Sequence, residues 1–160
     1  MENLSVPSEF ERVWARVNAV TVNELPETPD KELERFIQAE INSITAYQKL
    51  MQQLNPAERQ PVLQILADEK RHLKNLQMEY FMETGDTCSP KIAGKMNADG
   101  LLIFLRRCIL AEKEASAAYL TAAEGRHEEL KSMYRAIGGD EERHSVMLKE
   151  LLRRCFRERD

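Results

Sequence analysis

A set of short words recurs along this chain at a fixed offset of 72 residues, and no other feature limits the fold as much. Glu40 precedes Tyr47 by seven positions, as Glu112 precedes Tyr119. Asp68-Glu69-Lys70-Arg71-His72 returns as Asp140-Glu141-Glu142-Arg143-His144. Aligning residues 31–88 with 103–160 gives thirteen identities in 58 pairs, a weak score if they were scattered. They concentrate instead on one inward stripe per helix, where a site shared by two halves would hold them. The pattern predicts a duplicated helical hairpin, so that two copies of one unit build a four-helix bundle.

Composition supports that class. A length of 160 residues suits one domain with a sizeable core. Charged residues make up 31% and apolar ones 42%, with few glycines, prolines or aromatics, which is the profile of a soluble, helix-rich protein. The net charge of −4 comes without a basic stripe, so nucleic acid is not an expected partner. No apolar run approaches the ~18 residues of a membrane span, and the first residues lack the basic-then-apolar pattern of a signal peptide. Cys88, Cys108 and Cys155 form neither a Cys-x-x-Cys pair nor an even disulfide set. Reduced thiols in a cytoplasmic protein are the expectation.

The first 29 residues stand outside the repeat as an N-terminal helix and linker, and residues 30–160 hold the bundle. Phe10, Val13, Trp14, Val17 and Val20 follow helical spacing, which predicts a short amphipathic helix over 8–22 packed on the bundle or on a second subunit. Leu25-Pro26-Glu27-Thr28-Pro29 then reads as a linker. The first bundle helix is expected to start with Asp30 as N-cap and to turn Leu33, Phe36, Ile37, Ile41, Ile44 and Tyr47 inward. Asn55-Pro56 ends it and opens the second, which Pro61 either kinks or shifts to a start near residue 60. Gly85 closes the second helix. Residues 85–97 form a connection long enough to cross the bundle, so the second and third helices need not be neighbours. The third covers about 98–125 and the fourth about 128–157. Gly138-Gly139 inside the fourth predict close backbone packing or a local distortion.

Residues three apart on a helix lie about 60° from one another. Glu69 and His72 can therefore face one interior point, as can Glu141 and His144. Of only three histidines in the chain, two occupy these matched words. Glu40 and Glu112 interrupt otherwise apolar stripes, where an unpaired carboxylate is costly. Four glutamates carry four negative charges and two divalent cations carry four positive ones, so with neutral imidazoles the set balances in a low-dielectric core. Glu69 and Glu141 are assigned as bridges between two metals, with Glu40 and Glu112 terminal. Oxygen ligands with one imidazole each favour iron or manganese over a closed structural zinc site. Asp68 and Asp140 lie on the same face as the histidines and can fix an imidazole tautomer; spacing leaves open whether each serves its own histidine or that of the opposing helix. Arg71 and Arg143 can balance those aspartates. The hydroxyls of Tyr47 and Tyr119 can bond a neighbouring ligand carboxylate or take part in electron transfer. Cys108, one turn before Glu112, is expected inward as a small buried residue.

These four words resemble the ferritin-like di-iron carboxylate superfamily, and within it the rubrerythrin-type proteins, over residues 30–157. The resemblance implies an all-α ferritin-like bundle with a long crossover between the second and third helices. It also implies a cofactor of two iron ions per chain, with manganese or zinc as substitutes, and chemistry with peroxide or dioxygen. Rubrerythrins carry a rubredoxin domain with two Cys-x-x-Cys pairs, absent here, so an external electron donor is implied. Their additional glutamate, one turn after the third-helix ligand, is replaced by Ala115. Glu114 is no substitute, pointing about 200° away from Glu112. Asp-Glu-x-Arg-His also resembles the word used by di-iron oxygenases and ubiquinone-precursor hydroxylases. The expectation is a di-iron oxidoreductase that reduces peroxide or dioxygen, assembled as a homodimer; ferroxidase-linked iron storage and hydroxylation of an organic substrate are the alternatives.

Overall fold

A computed structural model of the chain describes residues 28–88, 90–91 and 100–157. The helix expected over 8–22, and residues 89 and 92–99 of the expected connection, lie outside the described residues. Four helices make up the rest: α1 (Pro29–Gln53), α2 (Arg59–Thr84), α3 (Leu101–Ala123) and α4 (Glu128–Arg157), with a 3₁₀ turn at Pro56–Glu58 before α2. No described helix is long and apolar enough to cross a membrane.

Local chemistry explains where the helices begin and end. α1 starts at Pro29, not after an Asp30 cap: Thr28 is the extended N-cap residue, and proline fits the first helical position because its missing N–H would have no partner there. Asp30 and Glu32 then sit in the first turn, where the helix dipole favours acids. Asn55 closes a capping box, its side chain accepting from the Glu58 N–H at 3.1 Å while Glu58 accepts from the Asn55 N–H at 2.9 Å. Pro61 does not interrupt α2; the α-helix starts at Arg59, close to the later start near residue 60, and Pro61 falls in its first turn, where no intrahelical bond is lost. At Gly85, φ is +72° and the N–H bonds Phe81 O at 2.8 Å, a left-handed C-terminus that glycine adopts without strain. α3 is shorter than the 98–125 expected, spanning Leu101 to Ala123.

α1 packs on α2 and α3 on α4, and further contacts join α1 to α3 and α2 to α4. Phe36 stacks on Tyr119 while Tyr47 reaches Glu112, so α1 and α3 run antiparallel. His72 meets Asp140 and His144 meets Asp68, so α2 and α4 do too. The apolar interior forms two clusters. One holds Tyr47, Leu50, Ile65, Leu105, Leu148 and Leu151. The other, at the opposite end, holds Leu33, Phe36, Leu76, Tyr119, Leu130 and Tyr134. Each fully buried leucine contributes about 1.5–3 kcal/mol, so the stable parts of the bundle flank a central layer made of charged residues.

α4 stays helical through Gly138-Gly139. The two glycines do different things. A Cβ on Gly138 would lie 3.1 Å from Leu120 Cγ and 3.3 Å from Ser116 O, and Ser116 Oγ donates to Gly138 O at 2.8 Å. Gly138 thus lets α3 and α4 approach closely, one turn from Glu141. A Cβ on Gly139 would meet nothing within 4 Å.

Candidate metal centre

Each of the four helices sends one glutamate into the central layer, and α2 and α4 add a histidine three residues on. Glu40, Glu69, His72, Glu112, Glu141 and His144 are each at most 3% exposed. They form two overlapping groups: Glu40, Glu69, His72 and Glu141, and Glu69, Glu112, Glu141 and His144. Within each group, one donor atom per residue lies within 4.8 Å of the others. Glu69 and Glu141 belong to both groups, while Glu40 with His72, and Glu112 with His144, belong to one each. All six residues singled out from the repeat are brought together.

The donor atoms face one another. His72 Nδ1 lies 3.3 Å from Glu141 Oε1 and 3.6 Å from Glu40 Oε2. His144 Nδ1 lies 3.1 Å from both Glu69 Oε1 and Glu141 Oε2, and 3.5 Å from Glu112 Oε2. Yet Glu40 Oε2, Glu69 Oε1, Glu112 Oε2 and His72 Nδ1 are buried with no properly directed hydrogen bond. Buried polar atoms are normally satisfied, because an unmet one forfeits its hydration without return. Four such atoms around one point fit a pair of divalent cations, since carboxylate oxygens and imidazole nitrogens are the donors such ions take.

Electrostatics point the same way. Burial pushes the Glu69 carboxyl well above its usual range, and the nearby Glu141, Glu40 and Glu112 carboxylates add to the shift. Burial likewise raises Glu112 to about 8. For His72, burial opposes the charged ring, but the close Glu141 and Glu40 carboxylates and the bond to Asp140 outweigh it, lifting its pKa to about 10. The same contest, with Glu112, Glu141 and Glu69 as partners, puts His144 at about 12. Glu141 goes the other way: burial is overcome by hydrogen bonds from His144 and His72, and it stays ionised.

Around the six lies an outer ring that sequence spacing had left open. Each aspartate serves the opposing helix's histidine: Asp140 Oδ2 is 3.0 Å from His72 Nε2, and Asp68 Oδ2 is 3.1 Å from His144 Nε2. A carboxylate on Nε2 favours the tautomer with its proton there and leaves Nδ1 free to donate electrons inward. Arg71 spans both aspartates, at 2.6 Å from Asp68 and 2.8 Å from Asp140. Arg143 reaches Asp68 at 3.0 Å and bonds Asp140 as well. The tyrosines also cross between halves. The Tyr47 hydroxyl donates to Glu112 Oε1 and the Tyr119 hydroxyl to Glu40 Oε1. Burial, reinforced by those carboxylates, keeps both phenols protonated far above the usual tyrosine range. Cys108 is buried as expected, and burial together with Glu112 pushes its thiol up to about 12, so it is no nucleophile at neutral pH.

Sequence reasoning missed the neighbours of the tyrosines. Phe36 stacks on Tyr119 with centroids 4.0 Å apart and planes at 17°, and Tyr134 packs on both rings. At the equivalent repeat positions the other half has Cys108 and Val62, packed in the cluster of Tyr47. The only signal was a failed identity at each of two inward positions. Ser116, which ties α3 to Gly138, was also missed, since a lone serine within a helix carries no pattern.

No family model matches the chain, and no curated protein matches its sequence. Its structure is similar to that of a hypothetical protein from Pyrococcus furiosus, with a TM-score of 0.69 and 21% identity over 82% of this chain and 93% of that one. At that identity the likeness concerns the fold alone, and it establishes that another chain adopts this all-helical architecture.

Proposed function

We propose that the chain is a non-haem di-iron oxidoreductase of the ferritin-like, rubrerythrin type, reducing peroxide or dioxygen with electrons from an external donor. The observation that carries this reading is the set of buried, unsatisfied donor atoms arranged as two overlapping groups with Glu69 and Glu141 in common. The contacts of α1 with α3 and of α2 with α4 support a long crossover from α2 to α3 and two repeated hairpins, as ferritin-like bundles have.

Two iron ions, held by Glu40, Glu69, His72, Glu112, Glu141 and His144, would supply the electrons and open coordination positions for reducing an oxidant. The chain's own groups do the rest. Asp68 and Asp140 hold the imidazole Nε2 protons and so aim each Nδ1 inward. Tyr47 and Tyr119 hold a proton against Glu112 and Glu40, restraining those carboxylates and keeping a proton beside the centre. The two apolar clusters exclude bulk water above and below, which strengthens every charge interaction between them. All three cysteines are free thiols, consistent with a reducing compartment such as the cytoplasm. Ala115, half-buried where rubrerythrins place a further glutamate, separates this chain from ligand-exchange peroxidase chemistry of that family.

The test is anaerobic loading with ferrous iron, then separate rapid mixing with peroxide and with dioxygen. Two iron ions per chain and fast oxidation by one oxidant are expected, and a Glu69→Ala, Glu141→Ala double variant should lose the metal. Failure to bind iron, or unchanged binding in that variant, refutes the proposal. Uptake far beyond two ions per chain would instead identify storage.

A further inference from the structure

The same repeat that keeps the inside of the bundle symmetric leaves its outside unequal. α3 presents Ile103, Arg106, Leu110, Glu114 and Ala117 to solvent along one stripe, at spacings of three and four residues. Ile103 is 57% and Leu110 60% exposed. At the matching positions of α1 stand Lys31, Glu34, Gln38, Asn42 and Thr45, all polar. The other pair of helices shows no such contrast: α4 exposes Val146 and Phe156 where α2 has Lys74 and Thr84, but α2 exposes Met78, Phe81 and Met82 where α4 has Glu150, Arg153 and Arg154. The bundle therefore does not require apolar residues along α3, because α1 does without them at the matching positions. Beside the stripe, Leu102, Ile109 and Leu152 line a groove between α3 and α4. Isolated exposed leucines need no explanation, but Ile103 and Leu110 on one stripe, alternating with Arg106 and Glu114, form an apolar strip flanked by opposite charges that does.

We propose that this face is a homodimer interface, in which the α3 helices of two copies pack antiparallel about a two-fold axis through Leu110. The order of residues along the stripe selects the occupant. In an antiparallel pair centred on Leu110, the residue opposite position i is the one equally far on the other side of 110. Leu110 then meets its own copy, Ile103 meets Ala117, and Arg106 meets Glu114. Apolar faces apolar and cation faces anion, twice over by symmetry, as an isologous contact demands. Arg106 and Glu114 are both exposed and lie eight residues, just over two turns, apart on one helix. They cannot pair closely within a chain, yet they match between chains. Large Ile103 opposite small Ala117 also lets the helices interlock. None of this depends on the chemistry of the buried centre.

The experiment is sedimentation velocity on the full chain over a micromolar concentration series, with far-ultraviolet circular dichroism to check the fold. The chain should sediment as a dimer and Leu110→Arg as a helical monomer. Arg106→Glu should weaken association at least about tenfold, because it places like charges opposite each other at two points. Arg106→Glu combined with Glu114→Arg should restore it. A wild-type chain that stays monomeric overturns the proposal and hands the face to another occupant, residues 8–22 of the same chain foremost. A helical Leu110→Arg variant that remains dimeric overturns it too, as does a double charge swap no tighter than the single one. Should Leu110→Arg lose helicity, the charge-swap pair decides alone, since both residues are exposed.

Discussion

Metal uptake by this chain should expel protons, and the structure fixes roughly how many. At pH 7 the metal-free centre keeps one extra proton on each imidazole, with pKa values near 10 for His72 and 12 for His144, and one on Glu112, near 8. Glu69 is shifted in the same direction and adds toward a fourth. Ligation needs neutral imidazoles and ionised carboxylates, so binding two divalent ions at pH 7 should release about three to four protons. Each displaced proton makes the overall binding constant about tenfold larger per pH unit, giving roughly a thousandfold per unit near pH 7. The slope should flatten above pH 8, where Glu112 is already ionised in the metal-free chain. Titration calorimetry with manganese, in buffers of different ionisation enthalpy, reads the number directly from the slope of observed heat against buffer heat. A slope near zero, or an affinity independent of pH between 6 and 8, would refute the reasoning, because the buried donors could not then be holding protons in place of metal.

Stability of the metal-free chain should carry the same signature. The folded pKa values of both histidines are raised, so their stabilisation is complete below about pH 6.5 and is lost as pH rises through about 10 for His72 and about 12 for His144. Thermal melts should therefore fall over that window, by at most about 1.4 kcal/mol per pH unit for each imidazole, while metal-loaded protein shows no such decline. Replacing Asp140 by alanine removes the carboxylate from His72 Nε2 and should lower metal affinity about 10–100-fold, read by competition with a chelating dye. Gly139→Ala should raise the melting temperature by about 2–4 °C, since helix propensity improves and the added methyl meets nothing. Gly138→Ala should gain nothing, because its methyl would press on Leu120 and on the backbone oxygen of Ser116.

The six inward donors were legible because their spacing is dictated by helix geometry: a Glu-x-x-His word has one direction to point, and a carboxylate in an apolar stripe has few uses. Partner choice was not legible. Whether Asp140 serves His144 or His72 depends on how α2 and α4 lie against each other, and sequence spacing within one helix contains no term for that. The same holds for Tyr47 and Glu112, 65 residues apart and joined only by the packing of α1 on α3. Helix starts were misjudged by a residue or two where two rules compete. Asp30 is a good cap by type, but Pro29 fixes the first helical φ and moves the cap to Thr28. Pro61 shows the reverse: the rule against proline in helices lapses within the first turn, and the 3₁₀ turn capped by Asn55 sets the start of α2 at Arg59, two residues before it.

The 72-residue repeat accounts for the six buried donors but does not make their surroundings equal. The repeat holds at the six donors, the two aspartates, the two arginines and the two tyrosines, and at core positions such as Leu33, Ile37, Ile65 and Leu76 with their partners. Around the two tyrosines it does not hold. The phenol bonded to Glu40 lies against Phe36 and close to Tyr134, while the phenol bonded to Glu112 shares its cluster with Cys108 and Val62. Aromatic rings around Tyr119 are polarisable and flat; the thiol and valine that share the cluster of Tyr47 are smaller and offer it no ring to stack on. The carboxylates that these phenols restrain therefore sit in different surroundings even though their donor atoms are matched. Two ions bound there would share Glu69 and Glu141 but not an environment, and the inequality inside the bundle parallels the one on its surface, where α3 is apolar and α1 is not. Symmetry in this chain is complete at the residues that meet at one point and only partial in the layers around them.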